Sequence, residues 1–117
     1  MTKPKTIFVD IDGTIFKHKG SLVKTLLEES CLLDGVAERF DEWKGKNYCI
    51  IITTARPESM REKTAKELQK SGLFYDKLIM GITSGERIVI NDVKPGNLRS
   101  ANCFNVPRNE GLKGVLL

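Results

Sequence analysis

Short apolar runs alternate with amphipathic stretches along the chain. Thr6-Ile7-Phe8-Val9 is apolar and β-branched and stops at Asp10, which predicts a buried strand. Gly13 and Gly20 bracket an irregular stretch, after which Leu22, Val23, Leu26 and Leu27 form a short helical stripe. Leu33, Val36, Ala37, Phe40 and Trp43 follow at spacings of 3, 1, 3 and 3, an amphipathic helix whose other face carries Glu38, Asp41 and Glu42 toward solvent. A second strand is predicted over Tyr48 to Thr53. Pro57 then opens a helix through Met60, Ala65 and Leu68 to the stop at Ser71-Gly72. Leu78-Ile79-Met80 and Ile88-Val89-Ile90 read as a third and a fourth strand, and residues 101–106 as a candidate fifth. Strands alternating with helical segments predict one α/β sandwich spanning 1–117, a parallel sheet covered by helices, with no repeat or linker.

At 117 residues the chain can bury a core without staples. Its 40% hydrophobic and 29% charged content excludes disorder and collagen-like repeats. No apolar run approaches the ~18–20 residues of a membrane span, and the first ten residues lack the pattern of a signal peptide, so a cytoplasmic address and no membrane partner are expected. The formal net charge of +4 is spread without a basic run. That argues against nucleic acid as a partner and is compatible with a small anionic substrate. Cys31, Cys49 and Cys103 form no C-x-x-C pattern, and reduced, buried thiols are expected.

Ligands of parallel sheets bind beyond the carboxyl ends of the strands. Three apolar runs end there in chemically capable residues: Asp10-Ile11-Asp12-Gly13-Thr14, Thr53-Thr54-Ala55-Arg56-Pro57 and Asn91-Asp92-Val93-Lys94-Pro95. If those strands are neighbours, Asp10, Asp12 and Asp92 converge into an all-oxygen site, and Mg²⁺ is the natural occupant.

The string Asp10-x-Asp12-Gly13-Thr14 after a strand resembles the first motif of the haloacid dehalogenase (HAD) superfamily, and the two later groups resemble its later motifs in order. The resemblance runs from Thr6 to about Lys94. It implies a Rossmann-like three-layer sandwich with a mostly parallel sheet and no cap domain, since neither 14–48 nor 54–92 has room for an inserted one. It further implies an Mg²⁺-dependent phosphate monoester hydrolase. Asp10 would be the nucleophile that becomes an aspartyl-phosphate, and Asp12 the general acid that later activates water. The phosphate-binding hydroxyl of the family selects Thr54, leaving Thr53 to pack beneath the site. Arg56 resembles the arginine that contacts phosphate or an acidic substrate group. Asp92 is the metal ligand of the last motif, and Asn91 stands where the family often shows another acid. The family's phosphate-binding lysine has no clear counterpart. Lys94 ranks slightly ahead of Arg87, and Lys77 third.

His18, in the stretch that resembles the family's flap, reads as an exposed loop histidine. Capless relatives suggest a sugar phosphate or similar small metabolite. A nucleotide or nucleic-acid-end phosphatase, and a non-catalytic binding domain, are the alternatives. An open site without a cap implies a large substrate or a second subunit that shields it.

Overall fold

A computed structural model describes residues 3–117. Three parallel strands form the sheet, in the order β1 (Thr6–Asp10), β2 (Cys49–Thr53), β3 (Lys77–Ile79). Between them run α1 (Leu22–Leu27), α2 (Val36–Gly45) and, after a single 3₁₀ turn at Glu58–Met60, α3 (Arg61–Lys70). The protein is therefore a small α/β domain. Among the described residues no helix is long and apolar enough to cross a membrane.

The register pairs Phe8 with Ile51 and Asp10 with Thr53, and Ile51 and Thr53 in turn with Lys77 and Ile79. Residues directly across parallel strands share a face, so one face carries Val9, Ile50 and Ile52 and the other Phe8, Asp10, Ile51, Thr53 and Ile79. The first set is buried with Val36, Phe40 and Trp43 of α2 and Leu68 of α3. Two successive right-handed crossovers in one direction put both helices on the same side of a sheet, which accounts for that single core. On the opposite face Phe8 is 62% exposed and Ile79 is exposed as well.

Pro57 caps the 3₁₀ turn and α3 starts only at Arg61; Gly72, at φ 73°, follows its end. α1 forms where its stripe predicts, capped by the Ser21 hydroxyl, yet Leu22, Val23, Leu26 and Leu27 are exposed.

Ile88-Val89-Ile90, expected as a fourth strand, is not in the sheet: it is an exposed loop, with Ile90 at 93%. The segment after it is captured by a local hairpin instead, β4 (Val93–Lys94) against β5 (Leu98–Arg99), turning through Pro95-Gly96-Asn97 with Gly96 and Asn97 both at positive φ. That turn chemistry is strong and local, whereas joining the sheet needs pairing across the whole chain. Residues 101–106 form no strand either. The hairpin extends the molecule, whose radius of gyration is 14.9 Å against about 13 Å for a compact domain of this length. The cysteines depart from expectation too. All three are free, but Cys31 and Cys103 are exposed and Cys49 is half-buried, because the segments holding the first two do not enter the core.

Candidate active site

β1 delivers Asp10 to the carboxyl edge of the sheet, and the chain then folds back in a compact loop. The N–H groups of Thr14, Ile15 and Phe16 all donate to the Ile11 carbonyl (3.0, 2.8 and 3.1 Å), and the Gly13 N–H donates to Phe16 O at 2.7 Å. Ile11, Ile15 and Phe16 anchor this loop in the core, so apolar burial fixes where the two aspartates stand. Gly13, at φ 91°, supplies the left-handed conformation that the reversal requires.

The two aspartates have different surroundings. Both Asp12 oxygens accept from the guanidinium fork of Arg56, Nε to Oδ2 at 2.9 Å and Nη2 to Oδ1 at 2.7 Å. Arg56 itself is only 2% exposed, and its Nη1 also donates to Thr64 Oγ1 at 3.1 Å and Glu67 Oε1 at 3.0 Å. Burial pulls the Arg56 guanidinium down, but the bonds and charge of Asp12, then those of Glu67, hold it above its ordinary range. Glu67 further pairs with Lys63 at 3.0 Å and accepts from the Ser30 hydroxyl. Arg56 is thus buried and spends most of its donors inside the protein, on Asp12, Thr64 and Glu67, and not at the surface where the expected grip on substrate would need it.

Asp10 has no side-chain hydrogen bond or ion pair among the described residues. Its carboxyl is exposed at the strand end. Partial burial pushes it up, opposed by the Ile11 backbone N–H and the Arg87 charge, then reinforced by Asp12 and relieved by His18, and the balance lies above the usual carboxylate range. Arg87 is therefore a cation close enough to Asp10 to lower its carboxyl. Lys94, ranked ahead of it from the sequence, sits on the hairpin and pairs with Asp92 at 2.6 Å. Lys77 opens β3, at the amino edge of the sheet.

Thr53 is the register partner of Asp10 and shares its face, half-buried. Thr54 is buried, and its Oγ1 accepts from the Arg56 N–H at 3.0 Å. Thr53, and not Thr54 as expected, therefore shares a face with Asp10, because the parallel register decides which side chain does.

Asp92 is not brought to Asp10 and Asp12. It is exposed, paired with Lys94, and its carbonyl accepts from Ser100, while Asn91 Nδ2 donates to Ser100 Oγ at 2.8 Å. Loss of the fourth strand is the cause. Among the described residues no three His, Cys, Asp or Glu side chains gather as a metal would require.

Residues from the C-terminal segment reach the site without any motif announcing them. The Asn109 N–H donates to Gly13 O at 2.8 Å, and Asn109 Oδ1 accepts from the His18 N–H at 2.7 Å. His18 Nδ1 in turn accepts from the Gly20 N–H at 3.0 Å, so the flap closes on itself and on the tail. A groove of about 310 Å³ runs beside the flap, walled in part by Lys17, His18, Lys19 and Lys24.

No family model matches the chain, and no curated protein does. A chain in the solved structure described as "Structure of Pnkp1/Rnl/Hen1 complex" is similar, at 29% identity and a TM-score of 0.60 over 73% of the present chain. The match covers 30% of that solved chain.

Proposed function

We propose that this protein is a phosphate monoester hydrolase of the HAD type that works through an aspartyl-phosphate on Asp10. One observation carries the reading. Of the two aspartates in the motif, one is spent in an ion pair with the buried Arg56 and the other is left unpaired at the sheet's carboxyl edge, within the influence of the Arg87 charge. A nucleophile needs a free oxygen, and phosphoryl transfer needs positive charge where the equatorial oxygens sit. In the first step an Asp10 oxygen bonds to phosphorus as the P–O bond to the alcohol breaks; in the second, water attacks phosphorus and frees Asp10. Protonation of the leaving oxygen by Asp12 requires the Arg56 fork to open, since both carboxylate oxygens accept from it. A Rossmann-like HAD fold around the mostly parallel sheet belongs to this proposal too.

The Mg²⁺ expected from the sequence does not fit as a three-carboxylate ligand set, because Asp92 stands apart and Asp12 is engaged. Charge neutralisation is therefore assigned to Arg87.

Hydrolysis of p-nitrophenyl phosphate tests the reading, measured for wild type and Asp10→Asn with Mg²⁺ and with excess chelator. The expected result is turnover by wild type and a loss of about 100-fold or more in the variant. Undiminished turnover by Asp10→Asn overturns the assignment. Activity that vanishes in chelator restores the cation as a partner of Asp10, and activity that persists leaves its work with Arg87.

A further inference from the structure

We propose that Arg108 is a substrate-binding residue that grips a second anionic group, a carboxylate or a phosphate, on the alcohol portion of the ester. This rests on the phosphate-ester reading above.

The segment 107–112 is pinned at both ends of Arg108's neighbourhood. Asn109 holds Gly13 and His18 through the two bonds described above, and it does so in the left-handed region at φ 66°, a conformation that needs such support in a residue other than glycine. Two residues on, Gly111 passes so close to Asp34 that a Cβ there would lie 2.0 Å from the Asp34 carbonyl oxygen. The Leu112 N–H donates to that same oxygen at 2.9 Å, and the Leu112 side chain is buried. The backbone on which Arg108 stands is thus fixed to the catalytic loop.

Arg108 lies directly over Gly13. A Cβ built on Gly13 would meet Arg108 Cγ at 3.2 Å, Arg108 Nε at 3.8 Å and His18 Cβ at 3.8 Å. The Arg108 side chain is exposed, and its guanidinium has no hydrogen bond or ion pair among the described residues. Arg56 contrasts with it, spending its guanidinium on Asp12, Thr64 and Glu67. A free planar fork held over the turn of a catalytic loop is suited to bidentate recognition of an oxyanion.

Its position also selects which part of the substrate it meets. The phosphoryl group must touch Asp10, at the carboxyl end of β1, where the Arg87 charge acts. Arg108 sits over Gly13, three residues further along the chain, between the tail and the flap. An ester whose phosphorus is at Asp10 and whose alcohol portion crosses Gly13 places that portion under Arg108.

The test compares three phosphate esters: 3-phosphoglycerate, fructose 1,6-bisphosphate and glycerol 3-phosphate, the last without a second anionic group. Wild type, Arg108→Ala, Arg108→Lys and Asp10→Asn are assayed, with thermal midpoints recorded. Arg108→Ala is expected to fold normally and to raise KM for the carboxylate or the bisphosphate ester about ten- to hundredfold, at nearly unchanged kcat. Glycerol 3-phosphate should stay within about twofold, and Arg108→Lys should recover part of the loss. Which doubly anionic ester suffers identifies the second group. An equal loss on all three esters, or no loss on any, overturns the role of Arg108 while wild type stays active and Asp10→Asn inactive. A wild type that turns over none of the three overturns the phosphate-ester reading and this inference with it.

Discussion

The guanidinium of Arg56 joins Asp12, from the loop after β1, to Thr64 and Glu67 of α3, with four donor contacts between 2.7 and 3.1 Å. Removing one member of a buried pair leaves the others without compensation. Arg56→Ala is therefore expected to cost about 3–5 kcal/mol, read from urea unfolding. Arg56→Lys keeps the charge but loses the fork, so it should recover only part of that stability. Asp10 is the opposite case. A carboxyl raised by burial is easier to protonate in the folded protein than in the unfolded chain. The folded state then binds more protons, and stability falls as pH rises through the carboxylate range. Asp10→Asn removes this penalty, so its thermal midpoint should exceed that of wild type at neutral pH in chelator and lose the advantage in acid. A wild-type midpoint higher at neutral pH than the variant's would contradict the raised carboxyl. A side chain that destabilises the fold where it stands is what a stability–function trade-off produces.

At the scale of elements, the sheet is one-sided. Ile52 lies in the single core, while Phe8 sits on the face that carries Asp10 and Thr53. Ile52→Ala should cost about 2–5 kcal/mol, the range for large-to-small changes in a core. Phe8→Ser should stay within about 0.5 kcal/mol, as surface substitutions do. Chemical denaturation of the two variants checks the difference, and a large loss at Phe8 would mean that its face is covered in solution. β1 and β2 were legible as continuous apolar, β-branched runs, and α2 by its period: Val36, Phe40 and Trp43 repeat as a helix and are buried as one. Ile88-Val89-Ile90 carried an equally apolar signal and failed, since a strand exists only with a partner, and Pro95-Gly96-Asn97 turned the chain into a hairpin first. The site was legible in the same measure. Asp10 and Asp12 could be read from their string, because the loop that holds them is local. Arg56 could not, since its acceptors Thr64 and Glu67 lie on a helix whose distance from Asp12 no spacing reveals. Arg108 was silent for the same reason: nothing between 101 and 117 marks a residue that will lie over Gly13.

Across the whole molecule, contacts between distant parts of the chain do the positioning. The Tyr48 N–H closes onto the Trp43 carbonyl within the turn from α2 to β2, but Arg39 Nε reaches Leu112 O at 3.2 Å and Lys46 Nζ reaches Leu117 O at 2.8 Å, tying α2 and the residue that follows it to the tail. The same tail holds Gly13 and His18 through Asn109. This has a consequence for how the protein is made. A ribosome releases residues at roughly 5–20 per second, N-terminal part first. The segment around 107–112 that fastens the loop from Gly13 to His18 emerges only after some ninety further residues, several seconds later on that scale. Through that interval the nascent chain carries its aspartates on a loop whose last fastening has not been synthesised. Competence at this site therefore waits for residues 107–112 to be made.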